Sequence, residues 1–167
     1  MIRRTAADDS QALPFRLVRA GGEHRLLARA ALLEVNGRSV DEAALESFLS
    51  DERRYLLLAL EGDRPGHTEI DRPIGTLTGY ALQRPHRPEP QFLLYDIDVR
   101  EAWRRRGVGS ALVERFIEEA RNAGAFEVWV LTDGANAAAM RLYERSGMVR
   151  ARPDQVLWVI PLEPEGT

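Results

Sequence analysis

An arginine-rich, glycine-containing segment is the first part of this sequence whose residue types could do chemistry. WRRRGVGSALVERF, residues 103 to 116, passes from three arginines through Gly107 and Gly109 into a helical pattern. Glycines ahead of a helix let an anion approach the unpaired amides and the positive end of the helix dipole. Ser110 is predicted to be the N-cap and to add a hydroxyl donor. The segment is therefore predicted to bind phosphate; the alternative is a plain turn with solvated arginines.

Familiar nucleotide-binding loops do not fit this segment. A dinucleotide-binding turn needs a third glycine, and this chain has Leu112 at that position. It also needs a tight turn after the strand, whereas seven residues separate Val99 from Gly107. A Walker A loop needs a lysine, and the sequence contains none. The predicted phosphate belongs to another kind of ligand.

Two aspartates supply the second chemical feature. Asp96 and Asp98 lie in QFLLYDIDV, the predicted strand that leads to the basic segment. Residues two apart share a face of a regular strand, although a bulge would place them on different faces. Neighbouring carboxylates disfavour each other's ionisation, which suits a proton acceptor, and they attract a cation. The structural alternative is that one of them pairs with Arg100 or Arg104.

The composition excludes several classes of protein. The 167 residues carry 23 arginines against 26 acidic residues, and a net charge of −3 opposes a general nucleic-acid binder. The sequence has no cysteine and only three scattered histidines, so neither an enzyme-bound thioester nor a metal site is expected. No apolar stretch approaches a membrane span or a secretory leader, and a cytoplasmic location without a membrane partner is expected.

The apolar periodicity predicts an α/β domain. Residues 1 to 13 are predicted to form a flexible tail and residues 14 to 162 a single domain. The segment QRPHRPEP, residues 83 to 90, contains three prolines and is expected to form a stiff loop rather than a strand. Strands are predicted at 15–19, 55–60, 74–82, 91–99, 126–132 and 155–160, and helices at 23–35, after a capping Ser39, at 109–123 and at 136–147.

Two motifs resemble those of the GNAT superfamily of N-acetyltransferases. RRRGVG, residues 104 to 109, fits the signature Arg/Gln-x-x-Gly-x-Gly/Ala, and NAAAMRLYERSG, residues 136 to 147, is similar to the family's Asn-x-x-Ala-x-x-Leu-Tyr-x-x-x-Gly helix. The resemblance covers most of residues 55 to 160 and implies a GNAT-type mixed, mostly antiparallel twisted sheet flanked by helices. LYDIDV, the proline-bearing connection before it and GAFEVWVLTDGANAAAMRLYERSGMV resemble the short aminoglycoside 3-N-acetyltransferases in particular.

The resemblance implies that acetyl-CoA is the co-substrate and that no metal is needed. Tyr143 is then expected to protonate the leaving thiolate, with a core aromatic as its structural alternative. The amide of Val99 is expected to bond the acetyl carbonyl, and Asn136 the pantetheine arm. The expected acetyl-CoA-binding residues are Ile97, Val99, Arg104, Arg105, Arg106, Gly107, Val108, Gly109, Ser110, Asn136 and Tyr143.

The acceptor implied by the resemblance is a polycationic small amine. It is expected to be an aminoglycoside that is acetylated on its 3-amino group. Asp96, Asp98, Asp133 and Glu89 are the acids expected to line its cleft, and Asp96 is preferred over Asp98 as the general base. Transfer is expected to be direct, because the chain has no cysteine. The alternatives are another small amine, a protein N-terminus, or a non-catalytic module that binds CoA. A homodimer is also implied by the resemblance.

Overall fold

A five-stranded sheet forms the centre of the protein. The computed structural model describes residues 14–62 and 71–151. The sheet order is β1-β2-β3-β4-β5, and every neighbouring pair is antiparallel except the parallel pair β4–β5. This arrangement confirms the predicted mixed, mostly antiparallel α/β fold. The strands are β1 (Phe15–Arg19), β2 (Arg54–Glu61), β3 (Pro73–Arg84), β4 (Arg87–Val99) and β5 (Glu127–Val130).

Four α-helices cover the two faces of this sheet. α1 and α2 pack on one face against β2 and β3, whereas α3 lies across the other face and contacts α4. None of the helices within the described ranges has the length and apolar character needed to cross a membrane. The helices are α1 (Arg25–Glu34), α2 (Glu42–Leu49), α3 (Val108–Asn122) and α4 (Ala137–Arg145).

Strand β2 shows why the sheet is buried on both sides. Its apolar run has no polar alternation, because helices cover both faces. Tyr55, Leu57 and Ala59 join the core beneath α3. The alternate residues Leu56, Leu58 and Leu60 join a second core beneath α1 and α2. The sheet therefore separates two apolar layers, and a polar site can exist only where one layer is interrupted.

The proline-rich segment at 83 to 90 does not form the predicted stiff loop. Most of its residues belong to β3 and β4, which are both interior strands of the sheet. The ladder skips residues between the pairs Leu82–Gln91 and Arg84–Arg87, so prolines fall where a missing amide costs little. The side-chain amide of Gln83 donates to the carbonyls of Arg87 (2.7 Å) and Pro88 (3.1 Å).

Other predicted boundaries differ in smaller ways. The helix after Ser39 is capped by Asp41, whose carboxylate accepts a hydrogen bond from Ala44 N at 2.8 Å, so the predicted cap is wrong. The first predicted helix begins with a 3-10 turn and becomes α-helical at Arg25. The predicted tail at 1–13 and closing strand at 155–160 lie outside the described residues.

The contact between Gly79 and α3 predicts a large effect of a small substitution. A Cβ added to Gly79 would lie 2.3 Å from Cζ of Phe116, a fully buried ring in the core. We expect Gly79→Ala to lower the free energy of unfolding by about 1–3 kcal/mol, because the packed ring cannot move away freely. Gly22→Ala is the matched control, since a Cβ there meets nothing within 4 Å. Urea denaturation measures both, and equal effects of the two variants would contradict the packing argument.

Candidate functional site

Strands β4 and β5 run together for only part of their length. Their parallel pairing extends from Gln91–Glu127 to Leu94–Val130, but β4 continues to Val99. Past Leu94, β4 has no partner on the β5 side among the described strands. The backbone amides and carbonyls of this edge face a gap that can accept an extended ligand.

A bulge in β4 sets which side chains border this gap. Asp96 pairs with Thr78 and Leu94 pairs with Gly79, so Tyr95 is an extra residue in the ladder. Leu94 packs in the core beneath α3, whereas Asp98 reaches the segment between α1 and α2. The bulge precedes both aspartates, and both carboxylates therefore lie on the face that carries α1 and α2.

The segment between α1 and α2 contacts β4 through one uncharged side chain, Asn36, and one charged side chain, Arg38. Nδ2 of Asn36 donates to Oδ2 of Asp98 at 2.6 Å, and Oδ1 of Asn36 accepts from the Thr76 hydroxyl at 3.0 Å. Arg38 forms an ion pair with Asp96, with 2.8 Å between Nη2 and Oδ2. Asp98 therefore belongs to a part-buried network whose other members, Asn36 and Thr76, are uncharged, while Asp96 pairs with an exposed arginine that another cation can replace.

The N-terminus of α3 presents unpaired amides beside the tip of β4. Gly107 is the N-cap, with a left-handed φ of +85°, and no side chain caps the helix. The first bond runs from Ala111 N to Gly107 O at 2.9 Å, which leaves the amides before Ala111 without intrahelical acceptors. Ser110 lies inside the first turn, so its predicted role as N-cap is wrong. A phosphate fits this uncapped, positively polarised end.

The three predicted arginines differ in their surroundings. Nε of Arg104 donates to the carbonyl of Val99 at 3.1 Å and so fastens the loop to the end of β4. The guanidinium of Arg106 lies 5.3 Å from the ring centroid of Trp103. Arg105 has a left-handed φ of +60°, and all three side chains are exposed. The loop thus surrounds the helix end with positive charge that anionic groups can reach.

Helix α4 brings the predicted general acid to the core. Tyr143 is buried against the α3 layer, and this burial raises the pKa of its phenol. The negative charge of Asp96 raises that pKa further. Asn136 caps α4 by accepting from Ala139 N at 3.1 Å through Oδ1, so its amide NH2 group is not used in that bond.

The structure does not bring every predicted acid to this site. Asp133 lies before α4, where Oδ1 accepts from Ala135 N at 2.8 Å. Glu89 pairs with Arg87 (Oε2 to Nε, 3.3 Å), and its pKa is lowered by backbone hydrogen bonding and by that arginine. Glu89 and Asp96 are seven positions apart along an extended strand, a distance of roughly 20 Å. Glu89 therefore does not share a cleft with Asp96.

Sequence reasoning missed Asn36, Arg38 and Thr76, which contact the two aspartates or the network around them. The contact of Asn36 with Asp98 joins residues 62 positions apart. No local pattern reveals such a contact. Within residues 14–62 and 71–151, no group of three or more histidine, aspartate or glutamate side chains could hold a metal ion.

This geometry can support acyl transfer at the gap beside β4. The uncapped end of α3 and its arginines can hold a phosphate-containing group, and the free edge of β4 can bond an extended arm. Asp96, on the face of α1 and α2, is a candidate proton acceptor, and Tyr143, buried in the layer beneath α3, is a candidate proton donor.

Comparison with known proteins assigns a family to most of the chain. A sequence model described as Acetyltransferase (GNAT) family matches residues 24–148. A curated relative, the [Ribosomal protein bS18]-alanine N-acetyltransferase of Escherichia coli (strain K12), is 31% identical over 81 residues, which cover 41% of this chain. The chain spans about half of that relative, since the match covers 55% of it.

Solved structures share the fold. The aminoglycoside acetyltransferase meta-AAC0020 from an uncultured soil metagenomic sample, in complex with trehalose, has a TM-score of 0.71 at 20% identity and covers 89% of this chain and 97% of its own. AAC(6')-Iy, in complex with the bisubstrate analogue CoA-S-monomethyl-acetylneamine, has a TM-score of 0.68 at 16% identity, with coverages of 88% and 97%. At these identities the likeness concerns the fold.

The different partners of the two aspartates predict different effects on stability. Asp98→Ala leaves the part-buried amide of Asn36 without its acceptor, and we expect the free energy of unfolding to fall by about 1–3 kcal/mol. Asp96→Ala removes an exposed ion pair and should cost less than about 1 kcal/mol. Chemical denaturation of both variants measures the difference. A double-mutant cycle with Asn36→Ala checks the cause, and zero coupling between Asn36 and Asp98 would contradict it.

Proposed function

Because the chain belongs to the acetyltransferase (GNAT) family, we propose that it transfers the acetyl group of acetyl-CoA directly to the primary amine of a small acceptor. One observation supports this proposal beyond the family: the uncapped N-terminus of α3, with its arginines, lies beside the end of β4 that carries Asp96. The buried phenol of Tyr143 lies in the layer beneath α3, and an amine acyl transfer needs an anion site for the donor, a proton acceptor and a proton donor.

The residues around the α3 N-terminus fit the donor substrate. The amides of Gly107, Val108, Gly109 and Ser110 and the arginines 104 to 106 would hold the pyrophosphate. The free edge at Ile97 and Val99 would bond the pantetheine arm and the acetyl carbonyl, with the Asn136 amide across the gap. Bound acetyl-CoA supplies the activated thioester. Because negative charge develops on the carbonyl oxygen, an amide donor from Val99 would stabilise it.

We assign the two proton transfers to Asp96 and Tyr143. An aliphatic ammonium must lose a proton before it attacks, and Asp96 accepts that proton once the acceptor has displaced Arg38. The amine nitrogen then bonds to the thioester carbon, and the carbon–sulfur bond breaks. Tyr143 donates its proton to the leaving thiolate, and the second proton of the amine restores the phenol. No covalent enzyme intermediate forms.

The 3-amino group of an aminoglycoside is the finer proposal for the acceptor. It is supported by the LYDIDV resemblance and by fold likeness to a structure named as an aminoglycoside acetyltransferase. A peptide amine is the second candidate, supported by the E. coli relative, which is named for N-acetylation of an alanine of a ribosomal protein. Asp96 is the proposed base for either acceptor, so the two proposals differ in specificity and share the chemistry.

A thiol-release assay tests the proposed function. Purified protein with acetyl-CoA should release free CoA thiol when gentamicin, sisomicin, a polyamine or a peptide with N-terminal alanine is added. Mass spectrometry of the products then identifies the acetylated nitrogen. Calorimetry with CoA checks the donor site independently of turnover. An absence of CoA binding would overturn the proposal, whereas binding without turnover, unaltered by Tyr143→Phe and Asp96→Asn, would favour a non-catalytic module.

Replacing the proposed acid separates chemistry from folding. We expect Tyr143→Phe to lower kcat by about 10²–10³-fold with unchanged CoA affinity, because only the proton donor is lost. The raised pKa keeps Tyr143 protonated beyond the usual tyrosine value of about 10, so its alkaline rate loss should begin only above that pH. Tyr55→Phe, in the same core, is the matched control. A Tyr143→Phe variant with wild-type kcat and pH profile would assign Tyr143 a packing role only.

A further inference from the structure

A cavity with aromatic walls opens beside Asp96 on the face of α1 and α2. Its volume is about 260 Å³. The rings of Phe48 and Tyr80 meet edge to face with centroids 5.8 Å apart, and those of Tyr80 and Tyr95 do so at 5.6 Å. The remaining apolar wall consists of Leu32, Val40, Ala44, Leu45 and Leu56. These rings form a continuous aromatic surface from α2 to the bulge in β4.

Three residues that line the cavity are direct neighbours of the proposed base, Asp96. Tyr95 precedes Asp96 in the chain, and Thr78 pairs with Asp96 in the ladder between β3 and β4. Arg38, which also lines the cavity, forms the ion pair with Asp96. A group bound between the rings would therefore hold an attached amine beside this carboxylate.

The charges around the cavity place one exchangeable cation site beside the proposed base. The exposed pair between Asp96 and Arg38 can be exchanged readily, because such pairs are weak. Asp98 already accepts from Asn36, and Asp41 accepts from Ala44 N as the cap of α2. The ammonium of an acceptor can therefore replace Arg38 on Asp96.

The volume limits the part of the acceptor that can be buried to about one ring. Benzene occupies a cavity of about 150 Å³, whereas pockets for drug-sized ligands are about 300–1,000 Å³. At 260 Å³ the cavity can hold one six-membered ring and a short arm. Apolar and aromatic walls gain most from a ring that is itself apolar.

Within the proposed acetyl transfer, on which this inference rests, we infer that the acceptor is a primary amine joined by a short chain to one aromatic or apolar ring. The ring lies among Phe48, Tyr80 and Tyr95, and the ammonium replaces the guanidinium of Arg38 on Asp96. Apolar walls gain less from the polar rings of an aminoglycoside, so an amine with one apolar ring replaces the aminoglycoside as the favoured acceptor.

Matched amines test this inference in the thiol-release assay. We expect kcat/KM for 2-phenylethylamine to exceed that for ethylamine by about tenfold or more, because only the former buries a ring. It should also exceed the values for glucosamine and gentamicin. Equal values for the two amines, or a preference for either amino sugar, would overturn the inference while leaving the proposed acetyl transfer intact.

A variant of the exposed wall adds a second test. Tyr95 is 62% exposed, so Tyr95→Ala should fold, which circular dichroism checks. We expect this variant to reduce the ratio of kcat/KM between 2-phenylethylamine and ethylamine by about tenfold. Leu26→Ala is the control, since Leu26 is 76% exposed on α1 and does not line the cavity. An unchanged ratio in Tyr95→Ala would reject the aromatic subsite.

Direct binding keeps the inference testable if no amine is acetylated. Calorimetric titration with 2-phenylethylamine should then show binding to the wild-type protein that weakens by about tenfold in Tyr95→Ala. Binding without turnover would retain the subsite and reject the proposed function. Absence of both binding and turnover would reject both.

Discussion

The extra residue at Tyr95 is the constraint on which the site depends. In a regular strand, Asp96 and Asp98 would share the face of Leu94 and enter the apolar core beneath α3. Burying a carboxylate there without a partner would be far too costly for a stable fold. The bulge turns both aspartates to the opposite face, where Asn36 and Arg38 meet them. One inserted residue therefore allows a core strand to end as part of a polar site.

The close approach of α3 to the sheet depends on glycines that lie beneath it. Gly79 leaves room for the ring of Phe116, and Gly75 leaves room for Val108 and Leu112. With these contacts α3 lies close to the sheet, and its first turn reaches the tip of β4. A Cβ on Gly109 would lie 3.8 Å from Val99 and 3.6 Å from Leu142 of α4. The same packing that stabilises the fold thus places an uncapped helix end beside the gap between β4 and β5.

The sequence predicts those parts of the structure that arise from local patterns. The helix after Gly107 and Gly109 and the doubly buried strand β2 follow from glycine placement and apolar periodicity. The predicted cap at Ser110 is wrong because the left-handed Gly107 already ends the loop three residues earlier. The prolines do not form the expected stiff loop, because a skipped register and the side chain of Gln83 accommodate them within paired strands. The partners of Asp96 and Asp98 were missed because they lie about 60 residues earlier in the chain.

The interaction between Asp96 and Tyr143 can also order the two proton transfers of the proposed mechanism. Before the reaction, the charge of Asp96 adds to burial in raising the pKa of the phenol, which holds the proton on Tyr143. When Asp96 accepts a proton from the amine, that contribution disappears and the phenol of Tyr143 becomes a stronger acid than before. Tyr143 then donates more readily to a thiolate whose conjugate thiol has a pKa near 8.5. In the proposed mechanism, the phenol thus becomes a better donor only after the amine has lost its proton, which is when the leaving thiolate needs one.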